Sequence, residues 1–316
     1  MRGHVPAAVA RLQAKGVLAA TNRLHLAIGL PLRNEAALDD LLGQLYDPAS
    51  PNYRKYLTPE QFTEQFGPTE SDYQKVITFA RANGLTVTST YGNRVLLDVS
   101  GTADNIQKAF QVTLRVYQHP REPRIFFAPD VEPSVETNLP ILDISGLNNF
   151  ELPHPKNLKF TPAIALANAT PRSGSGSGGT YIGNDFRAAY VPGISLDGTG
   201  QTVGLLEFDG YYSGDITSYE SQAGLANIPL QNVPVSGGVS TPGSGNIEVA
   251  LDIEMAISMA PNLSAVVIFE APNTGTFNSL LNTMVSSNQI KQLSCSWGGG
   301  GPNASSENIF KNMAAQ

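Results

Sequence analysis

Two carboxylates lie four residues apart in the mostly apolar stretch "GNIEVALDIEMAISMAPN", residues 245–262. The stretch predicts a helix, on which Glu248 and Asp252 lie about 40° apart around the axis and about 6 Å apart along it. Two acids held so close do not both ionise readily, so one pKa rises and the pair can hold and pass on a proton. This arrangement suits general acid–base chemistry at acid pH.

Spacing alone does not establish such a site, because the pattern E-x-x-x-D also occurs on ordinary surface helices. The surroundings favour it, since unpaired acids are costly among apolar side chains. The apolar neighbours of the pair are Val249, Ala250, Leu251, Ile253, Met255, Ala256 and Ile257. Glu254 lies on another side of the predicted helix, and we expect it to be solvated.

The distribution of histidines limits the chemistry. The four histidines are His4, His25, His119 and His154, and none follows residue 154. Residues 181–316 therefore supply neither a Ser-His-Asp triad nor a histidine-ligated metal. If this part of the chain is catalytic, a carboxylate must serve as its base.

Two more candidate residues end predicted strands. Glu207 ends the apolar strand "TVGLLEF", and Trp297, the only tryptophan, ends "IKQLSCSWG". Ligand sites of open α/β sheets gather at the carboxyl ends of strands, so both residues could lie near the Glu248 helix. The alternatives are a solvated acid at a strand end and a tryptophan that only packs.

The glycines that follow Trp297 could let a substrate backbone approach closely. In that interpretation Ser296, Trp297, Gly298 and Gly299 form a substrate-binding strand. A phosphate loop is not supported, because no Lys-Ser/Thr pair follows the glycines. The glycines of "LDGTGQTVGLL" precede a strand rather than follow one, which excludes a dinucleotide fingerprint.

Composition indicates a globular protein of about two domains. The chain has 316 residues, 41% hydrophobic and 15% charged, with a net charge of −7. No basic field is present to meet phosphates, which argues against a nucleic-acid partner. The lone Cys295 cannot form an intrachain disulfide and is expected to be a small core residue. Neither a transmembrane stretch nor a signal peptide is apparent.

The periodicity predicts two folded parts. Residues 1–150 alternate strand-like and amphipathic helical pieces, with a hairpin at "YGN", which predicts an α+β unit with antiparallel pairing. Asn34 and Thr58 are predicted helix caps. Residues 151–180 lack periodicity and end in "SGSGSGG", which predicts a flexible linker that a protease can reach. Residues 181–316 alternate buried strands with helices, which predicts an α/β domain with a parallel sheet.

Taken together, these residues resemble the sedolisin family of serine-carboxyl peptidases. "LPLRNEAALDDLLGQLYDPASPNYRKYLTPEQFTEQFGPT" and "SGTADNIQKAFQVTLRVY" resemble the family's activation propeptide. "NIEVALDIEMAISMAPN" resembles the helix with its catalytic Glu and Asp, and "LSCSWGGG" resembles its S-x-S-W-G strand. The resemblance covers nearly the whole chain.

The resemblance implies a ferredoxin-like propeptide domain followed by a subtilisin-like α/β domain. It implies an extracellular endopeptidase that acts on polypeptides at acid pH, with its own propeptide bound to the catalytic domain. Glu248 is the implied general base, Asp252 orients it, and Glu207 and Trp297 extend the hydrogen-bond network. A serine is the nucleophile, a second Asp serves the oxyanion hole, and calcium binds near the C-terminus of full-length members.

The sequence departs from the family where the remaining catalytic residues should follow. The "A-x-G-D-S-G"-like and "S-G-T-S-x-P"-like segments do not occur in it, and the pattern stops inside a predicted helix. We therefore expect an incomplete subtilisin-like domain without the nucleophile, the oxyanion Asp or the calcium ligands. Three alternatives remain: a peptidase precursor recorded as a fragment, a non-catalytic inhibitor or folding chaperone of a relative, and a half-domain that is unstable alone.

Overall fold

The computed structural model describes residues 1–156, 158, 173–275, 277–287, 290–299 and 303–316. The chain forms two compact units. Unit 1 comprises Met1–Leu152, Asn273–Asn288 and Gly299–Gln316, and unit 2 comprises Pro153–Pro272 and Gln289–Gly298. Half of the predicted linker, at 157 and 159–172, lies outside the described residues.

Strands and helices alternate along much of the chain. The strands are β1 (Gly16–Val17), β2 (Arg23–Gly29), β3 (Thr86–Thr90), β4 (Leu96–Thr102), β5 (Leu114–Gln118), β6 (Ile125–Pro129), β7 (Asp143–Ser145), β8 (His154–Pro155), β9 (Thr202–Glu207), β10 (Leu230–Pro234), β11 (Ala265–Glu270), β12 (Gln292–Ser294) and β13 (Trp297–Gly298). The α-helices are α1 (Glu35–Tyr46), α2 (Pro59–Gln65), α3 (Glu70–Ala82), α4 (Ala103–Phe110), α5 (Asn184–Tyr190), α6 (Ser213–Ala223), α7 (Asn246–Met259), α8 (Phe277–Ser286) and α9 (Ala304–Ala315), and 3₁₀ turns span Ala7–Arg11 and Ser177–Gly179. None of the helices in these described residues is long and apolar enough to cross a membrane.

Unit 1 contains two antiparallel sheets, as its alternating sequence predicted. One has the strand order β3-β4-β2-β7 and the other β1-β5-β6. A single core joins the larger sheet to α3 and α4, because each of these elements has one apolar face. That core includes Leu26, Ile28, Val76, Ile77, Ala80, Leu97, Val99, Ile106, Ala109 and Phe110.

The two predicted helix caps have different outcomes. Thr58 caps α2 in a capping box with Gln61, as predicted. Asn34 is the N-cap residue of α1, as predicted, but it has a left-handed backbone and its side chain makes no capping hydrogen bond. Asn34 Nδ2 instead donates to the carbonyl of Gln65 at 3.0 Å, a contact that arises only once α2 has formed.

Helices from the end of the chain complete unit 1. Ser279 Oγ on α8 donates to Asp98 Oδ1 on β4 at 2.8 Å, and Tyr91 Oη donates to Asp98 Oδ2 at 2.7 Å. Asn93 Nδ2 donates to Asn282 Oδ1 of α8 at 2.7 Å. These buried polar contacts hold α8 against the sheet by specific hydrogen bonds rather than by apolar packing alone.

Unit 2 contains a parallel sheet with the strand order β10-β11-β9-β12. All six residues of β11 are buried, as expected of a parallel strand covered on both faces. Glu207 and Glu270 are register partners at the ends of β9 and β11. The predicted parallel sheet and the mixed α and β composition are therefore confirmed.

The predicted strand "IKQLSCSWG" is divided in the structure. β12 ends at Ser294, and Trp297 and Gly298 form β13, which pairs antiparallel with β8 instead of continuing the parallel sheet. Cys295 lies at this break and is exposed, so its predicted core position is wrong. The chain leaves the sheet there, which removes the neighbours that would bury the thiol.

Candidate active site

Helix α7 begins at a loop that Asp209 organises. Asp209 Oδ1 accepts the backbone N–H of Gly243 and Oδ2 accepts that of Gly245, both at 2.7 Å. A Cβ built at Gly245 would lie 2.6 Å from the ring of Trp297, so glycine is required for this approach. Asp209 was not predicted from the sequence; its place two residues after β9, at the carboxyl end of a parallel strand, was the available signal.

Helix α7 carries both predicted acids. Glu248 lies in its first turn and is only 3% exposed, whereas Asp252, one turn later, is half-buried. Burial, and then the charge of Asp252, raise the pKa of Glu248. The charge of Asp252 therefore lies near enough to Glu248 to disfavour the ionisation of that carboxyl.

Glu207 joins these acids from the end of β9. Its side chain has no exposed surface, and its Oε2 accepts the indole N–H of Trp297 at 2.7 Å. The indole also packs edge-to-face on Phe208, with ring centroids 5.8 Å apart. Trp297 is thus fixed both by packing and by a hydrogen bond to a carboxyl.

Ser296 extends the cluster through its side chain. Its Oγ donates to Asp252 Oδ1 at 2.8 Å. Hydrogen bonds and charge coupling therefore bring together five predicted residues: Glu207, Glu248, Asp252, Ser296 and Trp297.

No described contact links the two predicted glycines to the acids. Gly298 is opposite His154 in the β13–β8 pair. Gly299 is exposed, and its packing places it in unit 1.

The cluster favours a retained proton. Burial first, and then the charge of Asp252, raise the pKa of Glu207 well above its usual value. Burial also raises the pKa of Asp252, although its hydrogen bonds with Ser296 and Glu207 oppose the rise. Glu207 Oε1 and Asp252 Oδ2 are both buried and lack a donor among the described residues. A proton between these two oxygens satisfies both.

The exposure of Glu254 differs from the prediction. It is half-buried rather than solvated, and burial together with the charge of Asp215 raises its pKa to about 7. It packs on the side of α7 near α6, and no described contact links it to the cluster of Glu207 and Asp252.

Replacing Ser296 by alanine is expected to destabilise unit 2 by about 1 kcal/mol at pH 7, since it removes one hydrogen bond to Asp252. The pKa of Asp252 should rise further, because this bond favours the carboxylate. Urea unfolding followed by Trp297 fluorescence measures the change. Ser296→Thr keeps the hydroxyl and is the control; equal stability of the alanine and threonine variants would contradict the assigned contact.

Among the described residues, no three His, Cys, Asp or Glu side chains are grouped to hold a metal ion. No step of the chemistry below depends on the calcium that the family resemblance implies. The chemistry available here is the holding and transfer of a proton between carboxyls.

Comparison with known proteins identifies the relatives of the chain. Residues 10–150 match the family model "Pro-kumamolisin, activation domain". The chain is 27% identical to xanthomonalisin of Xanthomonas sp. (strain T-22) and 26% identical to sedolisin of Pseudomonas sp. (strain 101), in each case over 95% of its own length. It is 30% identical to kumamolisin of Bacillus sp. (strain MN-32) over 79% of its length.

The chain spans about half the length of these relatives: 39% of xanthomonalisin, 53% of sedolisin and 46% of kumamolisin. The matches extend beyond the activation domain, so they also cover residues of unit 2, which contains the cluster of acids. Over most of its length the chain is related to the sedolisin-family peptidases, and its residues 10–150 match the pro-kumamolisin activation domain. Both findings confirm the resemblance found in the sequence.

Proposed function

We propose that the chain is part of the precursor of a serine-carboxyl endopeptidase that acts at acid pH. The observation that carries this proposal is the cluster in which Asp252 meets Ser296 and Glu207, Glu207 meets Trp297, and Glu248 is coupled to Asp252. The match to an activation domain supports a precursor. Polypeptides are the proposed substrates, and the proposed location is extracellular, by analogy with the family.

In the proposed mechanism, Glu248 is the general base. It takes the proton of a serine hydroxyl as that oxygen attacks the peptide carbonyl, and it returns a proton to the leaving amine. Asp252 orients Glu248, while Glu207 and Trp297 hold Asp252 in place. The raised pKa values of Glu248 and Asp252 favour a retained proton in acid, which suits the return of a proton to the leaving amine.

The proposed domain organisation follows the family. Residues 1–150 form a ferredoxin-like activation domain, 151–180 a linker with the processing site, and 181–316 the first part of a subtilisin-like domain. The sheet β3-β4-β2-β7 with α3 and α4, and the parallel sheet of unit 2, support this assignment. In the full-length family the nucleophile, the oxyanion Asp and calcium belong to further segments.

The test is proteolysis at about pH 4. The 316-residue chain alone is expected to be inactive, because its sequence lacks the "S-G-T-S-x-P"-like segment. An in-frame extension that supplies this segment should be active, and Glu248→Gln in the extended protein should reduce the rate about 10²- to 10⁴-fold, the usual contribution of a general base. Full activity of that variant would overturn the role of Glu248.

The alternative function is non-catalytic: a propeptide-type inhibitor or folding chaperone of a full-length relative. The match of residues 10–150 to the activation-domain model favours it, because such a domain can act on a separate enzyme. Adding the purified chain to active kumamolisin tests the idea. Inhibition that saturates at one chain per enzyme would support it, and absence of binding would exclude it.

A further inference from the structure

The loop between β5 and β6 closes around the buried ring of His119. The residue is only 4% exposed, and its Nδ1 accepts the backbone N–H of Glu122 at 2.9 Å and that of Arg121 at 3.3 Å. Its Nε2 lies 3.3 Å from Glu122 Oε1. A ring nitrogen that accepts hydrogen bonds carries no proton, so the closed loop requires a neutral imidazole with its proton on Nε2.

The same loop holds the end of the activation domain. The ring of His119 packs on Phe150, with ring centroids 4.9 Å apart, and on Phe126 of β6 at 5.8 Å. Arg124 donates from Nη1 to the carbonyl of Asn149 at 2.7 Å and from Nη2 to that of Phe150 at 2.6 Å. Residue 150 is also where the match to the activation-domain model ends. Opening of the loop would therefore release the chain just before the predicted linker.

A charged ring does not fit the closed loop. The second proton goes on Nδ1 of His119, which then faces two backbone N–H groups as a donor instead of an acceptor. The carboxylate of Glu122 favours the charged ring, but its side chain is 49% exposed, so water weakens the attraction. Arg124 opposes the charged ring, because its Nε donates to Glu122 Oε2 at 2.5 Å and neutralises that carboxylate.

The other elements around the ring offer little to a buried cation. The cluster of side chains packed at this point combines residues of β5 and β6, the end of the domain and the N-terminal segment: Tyr117, Phe126, Ala128, Phe150, Val9, Leu12 and Ala14. These are apolar or uncharged side chains, among which a buried charge is costly. Opening the loop lets water solvate both the charged ring and the two backbone N–H groups.

We propose that His119 is a pH-dependent latch on the end of the activation domain: the neutral ring closes the loop and holds Asn149 and Phe150, and the charged ring opens it. A histidine side chain in water changes its charge near pH 6.5, so the closed loop is favoured above this pH and loses stability as the pH falls below it. The inference rests on the proposed function for its purpose, which is to expose the linker to processing in acid.

Hydrogen exchange of the 316-residue chain, followed by NMR at about pH 7.5 and about pH 5, tests the latch. Protection factors remove the direct effect of pH on amide exchange. The protection of the Glu122 amide should fall about tenfold between the two pH values, the factor expected for one or two lost hydrogen bonds. The Asn149 amide, which donates to the Phe127 carbonyl at 3.2 Å, should lose protection in parallel. The amides of α4 should keep theirs.

Three variants separate the latch from general effects of acid. His119→Asn keeps an acceptor for the same backbone N–H groups, as asparagine does in turns, but does not titrate, so its loop should be equally protected at both pH values. His25→Asn removes an exposed histidine of β2 and should respond to pH like wild type. Glu122→Gln removes the carboxylate that favours the charged ring, so the fall in protection should increase by up to about threefold.

The outcomes distinguish the parts of the proposal. An equal pH response in wild type and His119→Asn would show that the ring does not control the loop. Lost protection at Glu122 with full protection at Asn149 would show that the loop does not hold the end of the domain. If His119→Asn fails to fold without the ring, Glu122→Gln decides, and a wild-type pH response in that variant overturns the latch. No step requires proteolysis, so the result is independent of the proposed peptidase function.

Discussion

Replacing Glu207 by glutamine is expected to stabilise unit 2 at neutral pH by about 2 kcal/mol, the typical penalty of an unsatisfied buried polar group. The carboxyl is fully buried, and its Oε1 lacks a donor among the described residues when ionised. A glutamine amide imitates the protonated acid: its N–H can donate to Asp252 while its oxygen still accepts the indole N–H of Trp297.

The sign of the pH dependence follows from the raised pKa of Glu207. Because the folded state binds this proton more tightly than the unfolded state, stability is greatest below the unfolded pKa of about 4.3. Wild-type stability should then decline as the pH rises through the higher folded pKa. The glutamine variant should lack this part of the decline, so its advantage should grow from acid to neutral pH.

Urea unfolding at several pH values measures this difference. Trp297 is the only tryptophan and lies in unit 2, so its fluorescence reports on that unit. Glu270→Gln is the comparison variant for the same pH series, since Glu270 is also a buried acid of raised pKa at a strand end. A parallel pH profile in wild type and Glu207→Gln would show that Glu207 does not hold the proton.

Removing the carboxyl of Asp98 is expected to destabilise unit 1 by about 3 kcal/mol. Asp98→Ala leaves the buried hydroxyl of Ser279 and the half-buried hydroxyl of Tyr91 without the acceptor that they share. Each orphaned donor costs about 1–3 kcal/mol, and a cavity adds to the loss. The effect should appear as earlier unfolding of unit 1 in urea, followed by far-UV circular dichroism.

Asp98→Asn separates the hydrogen bonds from the charge. The amide oxygen still accepts one hydroxyl, so the loss should be well below that of alanine. Burial raises the pKa of Asp98, so the asparagine variant should compare best with wild type at neutral pH, where the buried charge disfavours folding. If alanine and asparagine destabilise unit 1 equally, the hydrogen bonds of Asp98 do not hold α8.

Some features of the fold were predictable because neighbouring residues determine them. The hairpin around "YGN", the Thr58 cap and the helix of Glu248 and Asp252 all depend on residues within about four positions of each other. The parallel sheet followed from continuous apolar strands, which only burial on both faces explains.

Other features were not predictable, because the local pattern of residues does not indicate which distant residues a side chain will contact. Ser279 and Asn282 belong to a helix with ordinary amphipathic spacing, yet they bond to residues of the activation domain 181 and 189 positions earlier. The hydrogen bond from Asn34 Nδ2 to a carbonyl 31 residues away was not predictable for the same reason.

The chemical type of the site could be inferred from the residues alone: paired acids lie on one face of a helix, and no histidine follows residue 154 to do the same work. The partners of those acids depend instead on how distant parts of the chain pack together. Trp297 reaches Glu207 across 90 residues, and Ser296 reaches Asp252 across 44. The turn that carries Trp297 out of the parallel sheet also pairs it with Pro155. The periodicity of a helix is encoded by residues that are close in sequence. A proton shared between an acid on a strand and an acid on a helix depends on packing that brings distant segments together, at the entropic cost of closing long loops.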